Sequence, residues 1–170
     1  MSTDSTKTAV EIAALRAADI PEVLALNDAA DPHVPATPEE RFRRLLALAR
    51  LAVTARRGDE LLGFLIAVDA DSDHDSVNYG WFRERYGTGR DAFVYVDRIV
   101  VAPAAQGLGV GRKLYAAVEA LEPPRIFCEV NEIPPNPVSL AFHKAIGFTE
   151  LAKVDSSPEK RVVMLEKPLY

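Results

Sequence analysis

The sequence predicts one mixed α/β domain, α+β in character, with about four helices against a central, mostly antiparallel sheet of six to seven strands. Three observations carry this. The chain has 170 residues, one domain's worth, and a chain of that length buries about 70% of the surface its unfolded form exposes. Its residues are 48% apolar and 26% charged, which is ordinary for a globular protein and excludes collagen-like, coiled-coil and wholly disordered chains. Its strands read as hairpins in some places and as strand–helix units in others, so a repeating doubly wound sheet does not fit.

Met1 to Lys7 reads as a frayed tail, leaving residues 8–170 as the domain. Thr8 to Leu15 carries Val10 and Ile12 and predicts a first strand. Asp19-Ile-Pro-Glu22 starts a helix, with Asp19 as N-cap and Pro21 in the first turn. Val23, Leu24, Leu26 and Ala30 supply its apolar stripe. The Pro-rich segment Pro32 to Pro38 is a loop, and Thr37-Pro-Glu-Glu40 starts a second helix carrying Phe42, Leu45, Leu46 and Ala49. Leu51–Arg56 and Leu61–Val68 form a hairpin around Arg57-Gly-Asp-Glu60.

Asp69 to Asp75 is acidic and turn-rich and reads as a solvated loop; it lacks the Gly and Glu that a calcium loop places at positions six and twelve. Asn78 to Tyr86 (NYGWFRERY) reads as an aromatic, basic insert. Phe93 to Val101 (FVYVDRIVV) is the strongest strand signal. Gly109 to Leu121 is a helix with Leu114, Tyr115, Val118 and Leu121 on one side, stopped by Pro123-Pro124. Ile126–Val130 is a strand and Val138–Ile146 a short helix capped by Gly147. Phe148–Val154 and Arg161–Glu166 close the chain as a strand pair.

Charge narrows the function. The net charge of −5 gives no overall basic field for a nucleic-acid backbone. No apolar run approaches the ~20 residues of a spanning helix, and the polar start lacks the apolar core of a signal peptide. One cysteine, Cys128, permits neither an intrachain disulfide nor a multi-cysteine zinc site. A cytoplasmic protein without metal, membrane or nucleic-acid partners is expected. Cys128, in a strand, reads as a small core residue.

The chemistry lies in Ile99 to Lys113 (IVVAPAAQGLGVGRK). A strand leads through a short turn into Gln106-Gly-Leu-Gly-Val-Gly111 and a helix. Glycines at alternate positions bare the backbone N–H groups at the positive end of a helix, which makes a cradle for a phosphate or pyrophosphate. The GxxxxGK[ST] loop fails because Arg112 follows where Gly-Lys is required. The spacing GxGxG, with Arg112 at the third glycine's place, also departs from the dinucleotide fingerprint. Glu129, 20 residues past Gly109, is where a ribose-binding acid would sit.

Val101, Pro103, Gln106, Gly109 and Gly111, as V-x-P-x-x-Q-x-x-G-x-G, resemble the acetyl-CoA signature of the GNAT N-acetyltransferase superfamily. Asn136, Ser139, Phe142 and His143, followed by Ile146-Gly147-Phe148, resemble its N-x-x-[AS]-x-x-[LF]-[YH]…G-F segment. The likeness is strongest over Phe93 to Leu151, and the DRIVVAP and EVNEIPPNP runs suggest a subgroup of bacterial type.

The resemblance implies a sheet splayed at the cofactor cleft, and acetyl transfer from acetyl-CoA to the amine of a small molecule within a ternary complex. The alternatives are a protein or peptide N-acetyltransferase and a non-catalytic acyl-CoA-binding module. It implies that backbone groups of Ile99, Val100 and Val101 pair with the pantetheine arm. The N–H groups of Gln106, Gly107, Leu108, Gly109, Val110, Gly111 and Arg112 would hold the pyrophosphate, and Asn136 and Ser139 would contact the cofactor from the other side. His143 stands where many members carry a Tyr and is the expected general acid; a helix-surface His contacting only the cofactor is the other reading. A homodimer is also common in the superfamily.

Asp97, a charge inside a strand that reads as buried, is the expected base. An ion pair with Arg98 explains it equally well, and Glu129 is the other candidate. Alternation puts Asp97 on the face of Tyr95 and Ile99. The insert just before the central strand is expected to face the substrate through Tyr79, Trp81 and Arg83, together with Glu129; an arginine there would suit an acceptor carboxylate. A satellite hydrophobic cluster is the plainer reading of the insert.

Overall fold

The computed structural model describes residues 9–169, and the expected tail, Met1 to Lys7, lies outside them. Among the described residues, seven strands form one sheet in the order β1-β2-β3-β4-β5-β7-β6. They are β1 (Glu11–Ala14), β2 (Leu51–Arg57), β3 (Glu60–Asp69), β4 (Val94–Val101), β5 (Arg125–Ile133), β6 (Thr149–Ser157) and β7 (Lys160–Pro168). Five helices cover it: α1 (Ile20–Ala29), α2 (Glu39–Leu48), α3 (Val77–Tyr86), α4 (Val110–Glu119) and α5 (Pro137–Ala145).

Side-chain alternation along the strands builds a core on each face. On one face α4 lays Leu114, Tyr115 and Val118 against Leu65, Val94 and Val96. On the other, α1, α2 and α3 lay Val23, Phe42 and Phe82 against Phe64, Tyr95 and Phe127. Phe82 stacks on Phe127 with ring centroids 4.3 Å apart.

Two expected elements differ. The Asn78–Tyr86 insert, for which no regular element was expected, is the helix α3: Ser76 caps it, its hydroxyl accepting the Tyr79 N–H at 3.3 Å. Gly87 ends it at φ +101°. The aromatic residues obscured this helix, because they are common in strands, while the caps at both ends marked it. Asp19 does not cap α1. Its carboxylate accepts the Arg16 N–H at 2.8 Å, closing a 3₁₀ turn over Ala17–Asp19, and pairs with Arg56 at 3.0 Å.

The central strand is irregular at the position that matters. Ile66 pairs with Arg98 but Ala67 with Val96, so Asp97 is an extra residue in a bulge. The bulge reverses the later alternation. Tyr95 faces the α1–α3 core, whereas Ile99 packs in the α4 core with Val96. The expected sharing of one face by Asp97, Tyr95 and Ile99 therefore fails at Ile99. Beyond the bulge, β4 leaves its parallel neighbour: β4 and β5 pair only at Val94–Ile126 and Tyr95–Phe127. The sheet splits there.

Candidate active site

The split opens a cleft of about 640 Å³ between β4 and β5, closed at one end by the glycine loop and α5. Ile99, Val100, Val101, Gln106, Gly107, Gly109, Val110, Gly111, Arg112, Asn136 and Ser139 all line it. Leu108 does not line it; its side chain is 49% exposed.

The cleft suits a long, mostly apolar ligand ending in phosphates. Past Tyr95 the β4 edge toward β5 has no ladder partner, which leaves backbone donors and acceptors for an extended chain. Gly107 and Gly109 stand at φ +84° and +78°, with open space where a Cβ would point. Among the described residues no turn or loop carbonyl accepts their N–H groups, and the first i−4 bond of α4 is Lys113 N–H to Gly109 C=O. The N–H groups of Val110, Gly111 and Arg112 precede that bond and lack helical acceptors. They form a donor fan at a positive helix end, suited to a pyrophosphate. Gly111 also lets α5 approach: a Cβ there would lie 2.6 Å from the Phe142 ring.

At the head of the cleft sits Glu129 on β5. The Tyr95 hydroxyl lies 2.7 and 2.6 Å from its two oxygens. Burial is the largest influence on this carboxyl and raises it; the Tyr95 hydrogen bond and the neighbouring Asn78 amide and His74 pull back, Asp97 adds repulsion, and the balance is about 7. The Tyr95 phenol is pushed well above 10 by burial and by the Glu129 and Asp97 charges, so it is the donor of this contact.

Asp97 is engaged elsewhere. Its oxygens meet His74 Nε2 at 2.6 Å and Arg98 Nε at 2.8 Å, and all three side chains are nearly buried, at 8%, 9% and 11% exposed. Burial raises its carboxyl, but His74 and Arg98 together hold it below the usual range. Arg98 also donates to Asn27 Oδ1 at 3.1 Å and Thr37 Oγ1 at 3.0 Å. Asp97 thus ties the loop before α3 and the Pro32–Pro38 loop to the β4 bulge.

His143 is 2% exposed. Its Nδ1 lies 2.8 Å from the Ser139 carbonyl, which can only accept, so Nδ1 carries the proton. Nε2 is left bare and accepts the Tyr115 hydroxyl at 2.7 Å. Burial pulls the imidazole below its ordinary value. Both nitrogens have partners within the protein, and the ring lines the cleft.

The insert residues lie away from the cleft. Tyr79 is 1% exposed; its hydroxyl donates to the Asp69 carbonyl at 2.6 Å and accepts the Ser72 N–H at 3.0 Å. The Arg83 guanidinium lies over Tyr79 and that of Arg85 over Trp81. Of α3, only Asn78 lines the cleft. A smaller cavity of about 270 Å³ adjoins the cleft, sharing Pro35, Asn78, Asp97, Arg98, Glu129 and Lys160 with it. Arg41, Arg44, Leu45 and Leu48 of α2, Ala36 and Thr37 before it and the loop from Asp73 to Ser76 complete its wall.

Tyr95, His74, Asn78 and Lys160 are the site residues that sequence reasoning missed. Tyr95, two positions before the odd charge of Asp97, carried the one available signal.

The profile of the Acetyltransferase (GNAT) family matches residues 20–148. No curated protein matches the chain in sequence. Among solved structures, Ard1 from Thermoplasma volcanium superposes with a TM-score of 0.75 at 15% identity, over 95% of this chain and 99% of that one. The ribosomal-protein-S18-alanine N-acetyltransferase of Escherichia coli does so at 0.69 and 16%, over 95% and 94%. A putative acetyltransferase of Salmonella typhimurium, solved with its cofactor acetyl-CoA, gives 0.66 and 17%, over 95% of each chain.

Proposed function

The chain belongs to the GNAT acetyltransferase family, and from this premise we propose that it moves an acetyl group from acetyl-CoA to the amine of a small molecule, by direct transfer in a ternary complex. Acetyl-CoA, the acyl donor of the family, supplies the acetyl group as a thioester. The free edge of β4 at Ile99 to Val101 would bind its extended arm, and the fan of N–H groups from Gly107 to Arg112 its pyrophosphate. Asn136 caps α5, its side chain accepting the Ser139 N–H at 3.3 Å, and would brace the opposite wall with Ser139.

The observation that carries the proposal is Glu129, where the two cavities meet, with a carboxyl poised near 7. An amine must lose a proton to attack, and a base is most effective when its own pKa lies near the working pH. Glu129 is therefore assigned as the base. Asp97, the base expected from the sequence, has a low affinity for a proton, and its oxygens are held by His74 Nε2 and Arg98 Nε. It is a positioning residue for the two loops beside the acceptor. His143 is a strut between α4 and α5. An acid is dispensable for a thiol leaving group, whose pKa is near that of cysteine, about 8.5.

The free, buried Cys128 agrees with a reducing, cytoplasmic setting. A protein or peptide acceptor is the second reading, favoured by the fold shared with a ribosomal-protein acetyltransferase. The test is thiol release from acetyl-CoA over an amine panel as a function of pH. Glu129→Gln is expected to abolish the acidic limb together with most turnover, while Asp97→Asn keeps the limb. The reverse pattern returns the base to Asp97.

A further inference from the structure

We infer that the acceptor is an amine carrying a carboxylate a few bonds from its nitrogen, as a free amino acid does, with Lys160 and Arg44 as the groups that select it. The inference rests on Glu129 receiving the amine. The smaller cavity is the space beside Glu129, and about 270 Å³ suits a small molecule rather than a folded surface.

The charges lining this cavity are mostly paired. Arg98 and His74 are held by Asp97, and Arg41 pairs with Asp75 at 3.1 Å. Two cations remain. Arg44 on α2 and Lys160 at the start of β7 line the cavity, and neither has a carboxylate within ion-pair distance among the described residues. They face one unpaired carboxylate besides Glu129, that of Asp73 on the exposed loop.

Lys160 alone of the two also lines the main cleft beside Glu129. A ligand with its ammonium on Glu129 thus has a cation within the same wall, and a second one farther out on α2. Both side chains are exposed and within reach of a ligand in the cavity. A carboxylate would complete the complement: one negative group for Glu129's neighbour Lys160, one positive group for Glu129. A neutral amide would leave Lys160 and Arg44 unanswered.

The test compares free L-amino acids with their C-terminal amides and with Ala-led dipeptide amides, by kcat/KM for thiol release. Free acids are expected to exceed amides by about tenfold, the worth of one charge-assisted contact. Lys160→Met and Arg44→Met are each expected to raise KM for the acids and bring the acid-to-amide ratio toward one, and Lys160→Glu to invert it. Arg43→Met, whose side chain pairs with Glu39 on α2 and does not line the cavity, keeps the ratio. Equal or better turnover of amides or peptides overturns the inference, as does a ratio that survives both Met variants. Bound acetyl-CoA with no amino acid turned over also overturns it, and leaves the acyl-transfer reading standing. Turnover persisting in Glu129→Gln would instead overturn the reading beneath it.

Discussion

Removing the Tyr95 hydroxyl tests the contact that would set the proposed base, Glu129. The oxygen sits 2.7 and 2.6 Å from the two oxygens of Glu129, and Tyr95→Phe deletes it while keeping the buried ring. A hydrogen bond to a charged group is worth about 1.5–3 kcal/mol, and one pKa unit is about 1.4 kcal/mol. Cleft water replaces part of the lost bond, because Glu129 is only partly buried, so a rise of about one unit is expected. The sign follows from the donor: it favours the ionised carboxylate, so its loss raises a carboxyl already near 7. The base works only when ionised, so the acidic limb of kcat/KM moves from near 7 to about 8. At pH 6.5 the ionised fraction then falls about eightfold, and by pH 9.5 the two enzymes converge. The assay is thiol release against pH. An unmoved limb, or a loss of rate equal at every pH, refutes the role given to Tyr95.

Glu129→Gln also carries a stability signature. A folded-state carboxyl raised from 4.5 to about 7 favours the protonated form, so its penalty is absent below about pH 4.5 and complete above about pH 7. With partial exposure discounted, the penalty is about 2–3 kcal/mol, and Glu129→Gln should raise Tm at pH 8 and leave it unchanged at pH 4, as thermal melts will show. His143→Gln is expected to lower Tm, through the lost contacts to Tyr115 and Ser139, while the basic limb of the pH–rate profile stays in place; a vanished limb would return the general-acid role to His143. Gly111→Ala forces Phe142 from a 2.6 Å contact, at a cost of about 1–3 kcal/mol. A helix-propensity gain of about 1 kcal/mol offsets part of this, so the effect should show as weaker acetyl-CoA binding by calorimetry more than as a lower Tm.

The strands, four of the helices and the glycine loop were legible because each rests on local signals: alternation, caps and φ-positive glycines. Much of the cleft lining followed, since Ile99 to Arg112 adjoin in sequence. Leu108 is the exception, as its side chain turns outward between two left-handed glycines. The Tyr95–Glu129 pair was harder. Tyr95 and Glu129 stand 34 residues apart and meet only because β4 and β5 lie side by side. Asp97 was conspicuous as a charge in an apolar strand, but the bulge that gives it His74 and Arg98 as partners leaves no mark in local composition. The arginines of the insert drew attention for their number, whereas Arg44 and Lys160, which line the smaller cavity, come from α2 and β7, elements far apart in sequence.

The most direct measurement pairs calorimetric titration with acetyl-CoA and thiol release over an amine panel, on the wild type and on Glu129→Gln. Both proteins should bind acetyl-CoA with similar affinity, because the glycine loop and the β4 edge are untouched, and only the wild type should release thiol at an appreciable rate. Equal turnover by both would contradict the assignment of Glu129, and failure of both to bind acetyl-CoA would contradict the reading of the cleft itself.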